Sequence, residues 1–436
     1  MPGIEKLGAT LTQTSMLDIL ALLDMMDKMT VAKESPTKLL VVGAGVIGLS
    51  VAWHCRGFFD EITLIDSDPN QATSLVAGGM LAPVTEAHFG EETLIAFNLN
   101  AAKLYPSFVQ EVEASSNCCV GLQTTGTLCL GKTSSDLAQL TQLAKFQEKL
   151  GLNIKPLSAS TAKEMEPLLS SRLAGGYLAM EDFVVEPIEL CNALNIALSN
   201  NRVASIREEI VEISLEKPNL ISAITRSNEV ITGTHLCLAS GSQIGRINFS
   251  FRSNGPLSGG NVANRQSTRE NFHLPIRPVR GQIIRLRPQH FDSNSANGLF
   301  MHHTVRAYVD AKHVYVLSRR NGEVVIGATS EEQGYHKANT VEGIYELLRC
   351  AQDIIPSIRE LEIVRLESGL RPATSDNFPI IGPLYSSNIC IATGHYRNGI
   401  LQAPITGSLV AEYFSTGKIP LEIKPFSPER FQENIL

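Results

Sequence analysis

One short glycine-rich segment restricts this chain to few folds. Residues 39–50 read LLVVGAGVIGLS: an apolar strand-like run, three glycines, and then the apolar periodicity of a helix. A second strand, EITLID, is predicted at residues 61–66. The segment therefore predicts a β-α-β unit whose first turn is rich in glycine.

The three glycines follow the pattern G-x-G-x-x-G at positions 43, 45 and 48. Gly43 allows the tight turn, Gly45 leaves room for the backbone beside a pyrophosphate, and Gly48 allows close packing of helix and strand. The phosphates would face the free N–H groups of the helix N-terminus. Asp66 ends the second strand, where a carboxylate can accept hydrogen bonds from a ribose. The unit predicts a dinucleotide site; the acidic residue disfavours NADP and leaves NAD and FAD open.

Composition limits the partners and the compartment. The 436 residues carry a formal net charge of −7 with a pI near 5.9, which provides no basic surface for nucleic acid. The eight cysteines form no CxxC pair and no zinc-type cluster, so we expect reduced thiols, no metal site and a cytoplasmic protein. The apolar run at 16–26 contains two aspartates and is too short to span a membrane.

The order of patterns predicts a discontinuous organisation. Helical patterns recur near 97–113, 134–150 and 187–199, and alternating segments between 279 and 330 predict an antiparallel sheet with one solvated face. We expect the fold class α/β (α+β). Its predicted parts are a terminal extension at 1–36, a cofactor domain from 37–110, 180–245 and 376–426, a substrate domain from 111–179 and 274–375, and a long polar loop at 246–273.

Four segments together resemble one family. GAGVIGLS, AGGMLAP, ESGLRPATSDNFPIIGP and GHYRNGILQAPITG are similar to motifs of the D-amino-acid oxidase superfamily, and most of all to its glycine oxidases of thiamine biosynthesis. The resemblance runs from about residue 39 to 426. It implies a Rossmann-like FAD-binding domain with an inserted antiparallel-sheet substrate domain. It also implies oxidation of small amines by oxygen, with release of hydrogen peroxide.

The resemblance also implies which residues contact FAD. They are Gly43, Gly45, Val46, Ile47, Gly48, Asp66, Ser67, Thr73, Ser74, Gly78, Gly79, Met80, Ile210, His395, Tyr396, Arg397, Asn398, Gly399, Ile400 and Leu401. Cys390 and the other thiols offer no equivalent of the cysteine that tethers flavin in sarcosine oxidases, so we expect noncovalent FAD.

Two arginines and a tyrosine are the predicted substrate contacts. Arg371 and Arg397 each offer a planar guanidinium that can hold a carboxylate in a bidentate manner. Tyr315 matches a tyrosine of the family's substrate pocket. We expect glycine, another small amine or a D-amino acid to pass hydride to the flavin, with no dedicated base, and the imine to serve thiazole synthesis.

Several alternatives stay open at this point. The chain could be a D-amino-acid or sarcosine oxidase, a dehydrogenase of the same fold, a non-catalytic FAD-binding protein, or an NAD enzyme. A homo-oligomer is also left open. The partners we expect are a small amino acid and oxygen, without nucleic acid or a membrane span.

Overall fold

The computed structural model describes residues 36–217, 220–251, 268–270, 274–289, 299–384 and 386–434. Contacts group Lys38–Leu436 into one compact unit. The predicted terminal extension, 1–36, lies outside the described residues except for position 36. No described helix is long and apolar enough to cross a membrane.

Strands and helices are numbered here in chain order. The strands are β1 Lys38–Val42, β2 Glu61–Ile65, β3 Met80–Leu81, β4 Thr127–Gly131, β5 Ile154–Leu157, β6 Gly175–Ala179, β7 Phe183–Val184, β8 Ala204–Ile206, β9 Ile210–Lys217, β10 Leu220–Thr225, β11 Val230–Gly233, β12 His235–Leu238, β13 Asn248–Phe251, β14 Thr268–Glu270, β15 Arg277–Arg287, β16 Thr304–Val309, β17 Lys312–Ser318, β18 Val324–Gly327, β19 Glu362–Ala373, β20 Ile380–Leu384 and β21 Ser386–Thr393. The helices are α1 Val46–Cys55, α2 Thr73–Val76, α3 Glu92–Ser116, α4 Ser134–Lys149, α5 Ala159–Met165, α6 Pro187–Asn200, α7 Val341–Ile354 and α8 Gly399–Thr416.

The first sheet has six strands in the order β20-β21-β12-β1-β2-β8. All neighbours are parallel except β20 and β21. β1 and β12 are apolar and almost fully buried, as expected for central strands of a parallel sheet. Helix α1 is buried along nearly its whole length, and its residues share one core cluster with residues of α6 and α8. The predicted β-α-β unit is therefore the centre of this sheet.

The second sheet has eight strands in the order β19-β15-β18-β17-β16-β4-β6-β5. Its neighbours are antiparallel apart from β16 and β4. Alternate residues point to opposite faces, so Ile284 packs in the cluster that holds helix α7, whereas Ile283 packs in the cluster of Val76 and Met80. One face is thus covered by α7, and the other faces the segment that follows the first sheet's β2.

A third sheet of five strands, in the order β11-β10-β9-β13-β14, corrects one prediction. The polar loop expected at 246–273 is a strand at 248–251 and again at 268–270. Phe249 is fully buried in β13, which pairs in parallel with β9. Single apolar residues among Asn and Ser concealed this alternation in the sequence. Residues 252–267 and 271–273 lie outside the described residues.

The predicted fold class is confirmed, since helices and sheets are mixed and a parallel sheet coexists with an antiparallel one. Because contacts do not divide Lys38–Leu436 further, the boundaries of the two predicted domains stay a prediction.

Candidate functional site

A cavity of about 840 Å³ lies where the parallel strands of the first sheet end. Its wall includes Gly43, Asp66 and Ala239, which directly follow β1, β2 and β12, and His395, two residues after the end of β21. The carboxyl edge of a parallel sheet, where strand order reverses, is the usual place for a ligand in this type of fold. Residues of β15, β16, β17 and β19 complete the wall from the second sheet.

Two glycines of the first turn are required by the backbone conformation and packing of the protein, whereas the third is not. Gly43 has φ +107°, and a Cβ there would lie 2.5 Å from the Ala239 carbonyl oxygen. A Cβ on Gly48 would overlap the carbonyl group of Gly43. Gly45 differs, because its φ is −72° and its Cβ would meet only the Ser74 hydroxyl, at 3.4 Å. The open space beside Gly45 belongs to the cavity, which indicates room kept for a ligand.

Asp66 is held firmly at the cavity edge. Its Oδ2 accepts from the Ala44 N–H at 2.7 Å, and its Oδ1 accepts from the Asp68 N–H at 2.9 Å. Next to it, the Val46 N–H in the first turn of α1 donates to the Ser74 hydroxyl at 3.0 Å. A carboxylate and a helix N-terminus therefore lie side by side, as a ribose and a phosphate would require.

Two buried arginines hold residues 73–80 in place as part of the wall. Arg319 donates to the Gly78 carbonyl oxygen, and Arg285 donates to that of Leu75 at 3.0 Å. Burial lowers the pKa of Arg319 to about 10. These contacts fix the backbone of a small-residue segment that lines the cavity on its inner side.

A second glycine turn brings helix α8 to the same cavity. The Tyr396 N–H donates to the Pro372 carbonyl oxygen at 2.9 Å, which joins this turn to the end of β19. His395 is buried, and its Nε2 lies 3.0 Å from the Thr406 hydroxyl. Burial lowers the pKa of His395 to about 3, so the imidazole is neutral at physiological pH.

Arg371 presents a guanidinium to the cavity without a carboxylate partner. It is half-buried, lies over Gly281, where a Cβ would collide with the guanidinium, and donates to the Thr329 carbonyl oxygen at 3.0 Å. No carboxylate of the described residues forms an ion pair with it. The buried Tyr315 is another part of the wall, and a Cβ on Gly78 would lie 2.5 Å from its hydroxyl. Burial raises the pKa of Tyr315, so its hydroxyl stays protonated and can donate.

Arg397 differs from Arg371 because its guanidinium is paired with carboxylates. Its Nε lies 2.6 Å from a Glu86 oxygen and its Nη2 lies 3.0 Å from a Glu91 oxygen. Glu86 also pairs with Arg306 on β16. Burial would raise the pKa of Glu86, but the two arginines hold it well below its usual range. The charge of Arg397 is thus already balanced, unlike that of Arg371.

Most of the predicted site residues lie on one wall. It includes Gly43, Gly45, Val46, Ile47, Asp66, Ser67, Thr73, Ser74, Gly78, Gly79, Met80, Ile210, Tyr315, Arg371, His395, Tyr396, Arg397, Gly399 and Ile400. Gly48, Asn398 and Leu401 lie outside it; Gly48 packs on the Gly43 backbone, and the other two are buried. Sequence reasoning missed Glu86, Arg306 and Gly281. The alternation of TVRAYV on β16 places Arg306 on the face opposite Val305 and Ala307, but it does not show that this face lines a cavity rather than solvent.

Comparison with known proteins agrees with this geometry. Residues 38–413 match the family described as FAD dependent oxidoreductase. The chain is 27% identical over 404 residues to the bifunctional protein ThiO/ThiG of Trichormus variabilis, covering 91% of this chain and 55% of that relative. It is 27% identical to the glycine oxidase of Bacillus licheniformis, covering 90% and 96%. The chain therefore spans about half the length of the first of these relatives.

A solved structure has the same fold. The glycine oxidase of Geobacillus kaustophilus superposes with a TM-score of 0.76 at 24% identity, covering 90% of this chain and 98% of that one.

The residues present fit FAD. The cavity has the size of a large ligand pocket, the space beside Gly45 would admit a pyrophosphate, and Asp66 stands at the ribose position of the fold. The second helix N-terminus, at Gly399 of α8, reaches the same wall. The cavity would therefore hold the cofactor between two glycine turns.

Proposed function

Because this chain belongs to the FAD-dependent oxidoreductase family, we propose that it is an FAD-dependent oxidase of glycine and other small amines. In the proposed reaction the amine becomes an imine, FAD is reduced, and O₂ reoxidises it with release of H₂O₂. We further propose that the imine of glyoxylate, formed from glycine, serves thiazole formation in thiamine biosynthesis. The thiamine role draws on the resemblance to ThiO/ThiG, of which the chain spans about half.

The observation that carries the proposal is the unpaired Arg371 guanidinium. Burying a cation without an anion is costly, and an arginine keeps its charge at any physiological pH. Seated over Gly281 and turned to the cavity, it offers its planar fork to a carboxylate from outside the protein. A small amino acid supplies such a carboxylate. A protein that only stores FAD would have no use for this group.

The chain's residues would orient the substrate rather than exchange protons with it. Arg371 would hold the carboxylate, and the protonated Tyr315 hydroxyl would donate a further hydrogen bond. The nearby positive charge disfavours the ammonium form of the substrate and favours the neutral amine. FAD, when bound, supplies the hydride acceptor. Glycine oxidation would then need no general base from the protein.

A substrate panel tests the proposal. The purified, FAD-loaded protein is mixed anaerobically with glycine, sarcosine or D-alanine, and bleaching of the flavin absorbance is followed; peroxide is measured after air is admitted. We expect bleaching and peroxide with glycine. Bleaching without peroxide would identify a dehydrogenase, a preference for D-alanine or sarcosine would identify another substrate, and no bleaching with any amine would contradict the proposal.

A further inference from the structure

We propose that Glu86 is a specificity-determining residue: it neutralises Arg306 and Arg397 on the cavity wall, so the site accepts substrates with one carboxylate and rejects those with two. The inference rests on the proposed function, because it assigns the substrate class of the same site. It concerns residues that contact neither glycine's carboxylate nor the amine in the proposed binding mode.

The sheet places Arg306 on the substrate side of the cavity. Arg306 on β16 is directly opposite Tyr315 on β17, and Tyr315 is directly opposite Gly327 on β18. Ile283 on β15 follows in the same row. Side chains in such a row share one face, and all four residues are on the cavity wall. Tyr315 therefore has Arg306 on one side.

Arg371 lies on the other side of Tyr315. Its guanidinium covers Gly281, two residues before Ile283 on the same strand and therefore on the same face. Three strand spacings, about 14 Å, separate the backbone of β16, which bears Arg306, from that of β15, over which the guanidinium of Arg371 lies. The cavity thus has a cation at each end of a row, long enough for a molecule with two carboxylates.

Of the arginines at the two ends of this row, only Arg371 has a charge that no carboxylate of the described residues balances. Arg306 pairs with Glu86, and Arg397 pairs with Glu86 and Glu91, so two cations and two anions in contact sum to zero. The side chains of Glu86 and Glu91 are 12% and 14% exposed, so water screens these pairs little. An incoming second carboxylate would have to displace Glu86 and would meet its negative charge. The arrangement therefore disfavours dicarboxylates.

Asp182 and Thr85 keep Glu86 in position from the protein interior. The fully buried Asp182 accepts from the N–H of Val84 at 2.9 Å and from that of Thr85 at 3.3 Å. The Thr85 hydroxyl in turn donates to Asp182 and accepts from Arg306 at 3.3 Å. The backbone before Glu86 is therefore anchored, and the carboxylate itself is held by its contacts with Arg306 and Arg397.

The test is Glu86→Gln in the FAD-loaded enzyme, with unreactive carboxylates as probes. Acetate, malonate, succinate and glutarate are titrated while the flavin absorbance is followed, which needs no turnover. The measured quantity is the affinity for each dicarboxylate divided by that for acetate. Because a freed arginine adds a charge-assisted hydrogen bond, we expect this ratio to rise about tenfold or more for at least one chain length. Flavin reduction by D-aspartate relative to glycine should rise in parallel.

Glu323→Gln is the matched control. Glu323 is also a buried carboxylate between two arginines, Arg285 at 3.2 Å and Arg365 at 3.0 Å, but it is not on the cavity wall. Its substitution changes the net charge equally and should leave the ratio unaltered. An equal rise in Glu323→Gln, or no rise in a Glu86→Gln protein that still binds FAD and acetate, would overturn the inference.

If Glu86→Gln does not retain FAD, Glu91→Gln replaces it. That variant removes only one of the two carboxylates at Arg397, so a smaller rise in the same ratio is expected, and no rise would count against the inference. Wild-type enzyme that binds acetate but is not reduced by any amine would contradict the proposed function alone, whereas an unchanged ratio in an active enzyme would contradict the inference alone.

Discussion

Replacing Arg371 by methionine should abolish most glycine oxidation while leaving the fold and FAD in place. Loss of one partner from a buried ion pair costs about 3–5 kcal/mol. Arg371 is half-buried, which points to the lower end, about 3 kcal/mol, or roughly two orders of magnitude in kcat/KM. Arg371→Lys should recover only part of this, because an ammonium keeps the charge but loses the planar fork.

A second substitution, at Gly281, should also remove the Arg371 guanidinium from its position. A Cβ on Gly281 would occupy the place of the Arg371 guanidinium, so Gly281→Ala should displace the charge without removing it. Arg277→Met is the matched control, since Arg277 lies on the same strand in an exposed ion pair with Glu332 and outside the cavity wall. The assay is the rate of flavin bleaching by glycine, with FAD content and unfolding midpoint measured for each variant.

Amines without a carboxylate provide a further control for the role of Arg371. They gain nothing from Arg371, so in Arg371→Met their rates should rise relative to that of glycine. An FAD-loaded Arg371→Met protein that oxidises glycine at a nearly normal rate would refute the assignment of Arg371 to the substrate carboxylate.

Three further predictions follow from the cofactor cavity. Gly45→Leu should lose FAD yet keep the unfolding midpoint of the apoprotein, because only the Ser74 hydroxyl is near a Cβ at position 45. Gly43→Ala should instead lower the midpoint, because the φ of residue 43 is +107° and a Cβ there collides with backbone atoms. Heat or acid should release all flavin from the purified protein into the filtrate, and flavin retained on denatured chain would contradict noncovalent binding. The free energy of unfolding should fall as the pH drops from 6.5 towards 3, by up to about 1.4 kcal/mol per pH unit, because His395 is protonated in the unfolded chain and not in the native state. The free energy is measured by urea titrations at several pH values. His395→Gln should reduce its dependence on pH.

The sequence by itself determined the cofactor half of this protein. The β-α-β unit, its glycine turn and Asp66 lie within one short stretch, where strand and helix periods and the conformational needs of glycine can be read locally. The fold class followed from the same periods, and family resemblance added FAD. Even here the local signal failed at β13, where one buried phenylalanine among polar residues was too weak a pattern.

Only the tertiary structure decided which arginine is free. Arg371 and Arg397 both have a glycine or proline close by in the sequence, and these surroundings do not distinguish their charge states. Glu86 and Glu91 reach Arg397 across some 300 positions of chain, and Gly281 comes under Arg371 through the register of β15 and β19. Ion pairing depends on distances of a few ångströms between such remote residues, and no local period of the sequence specifies them.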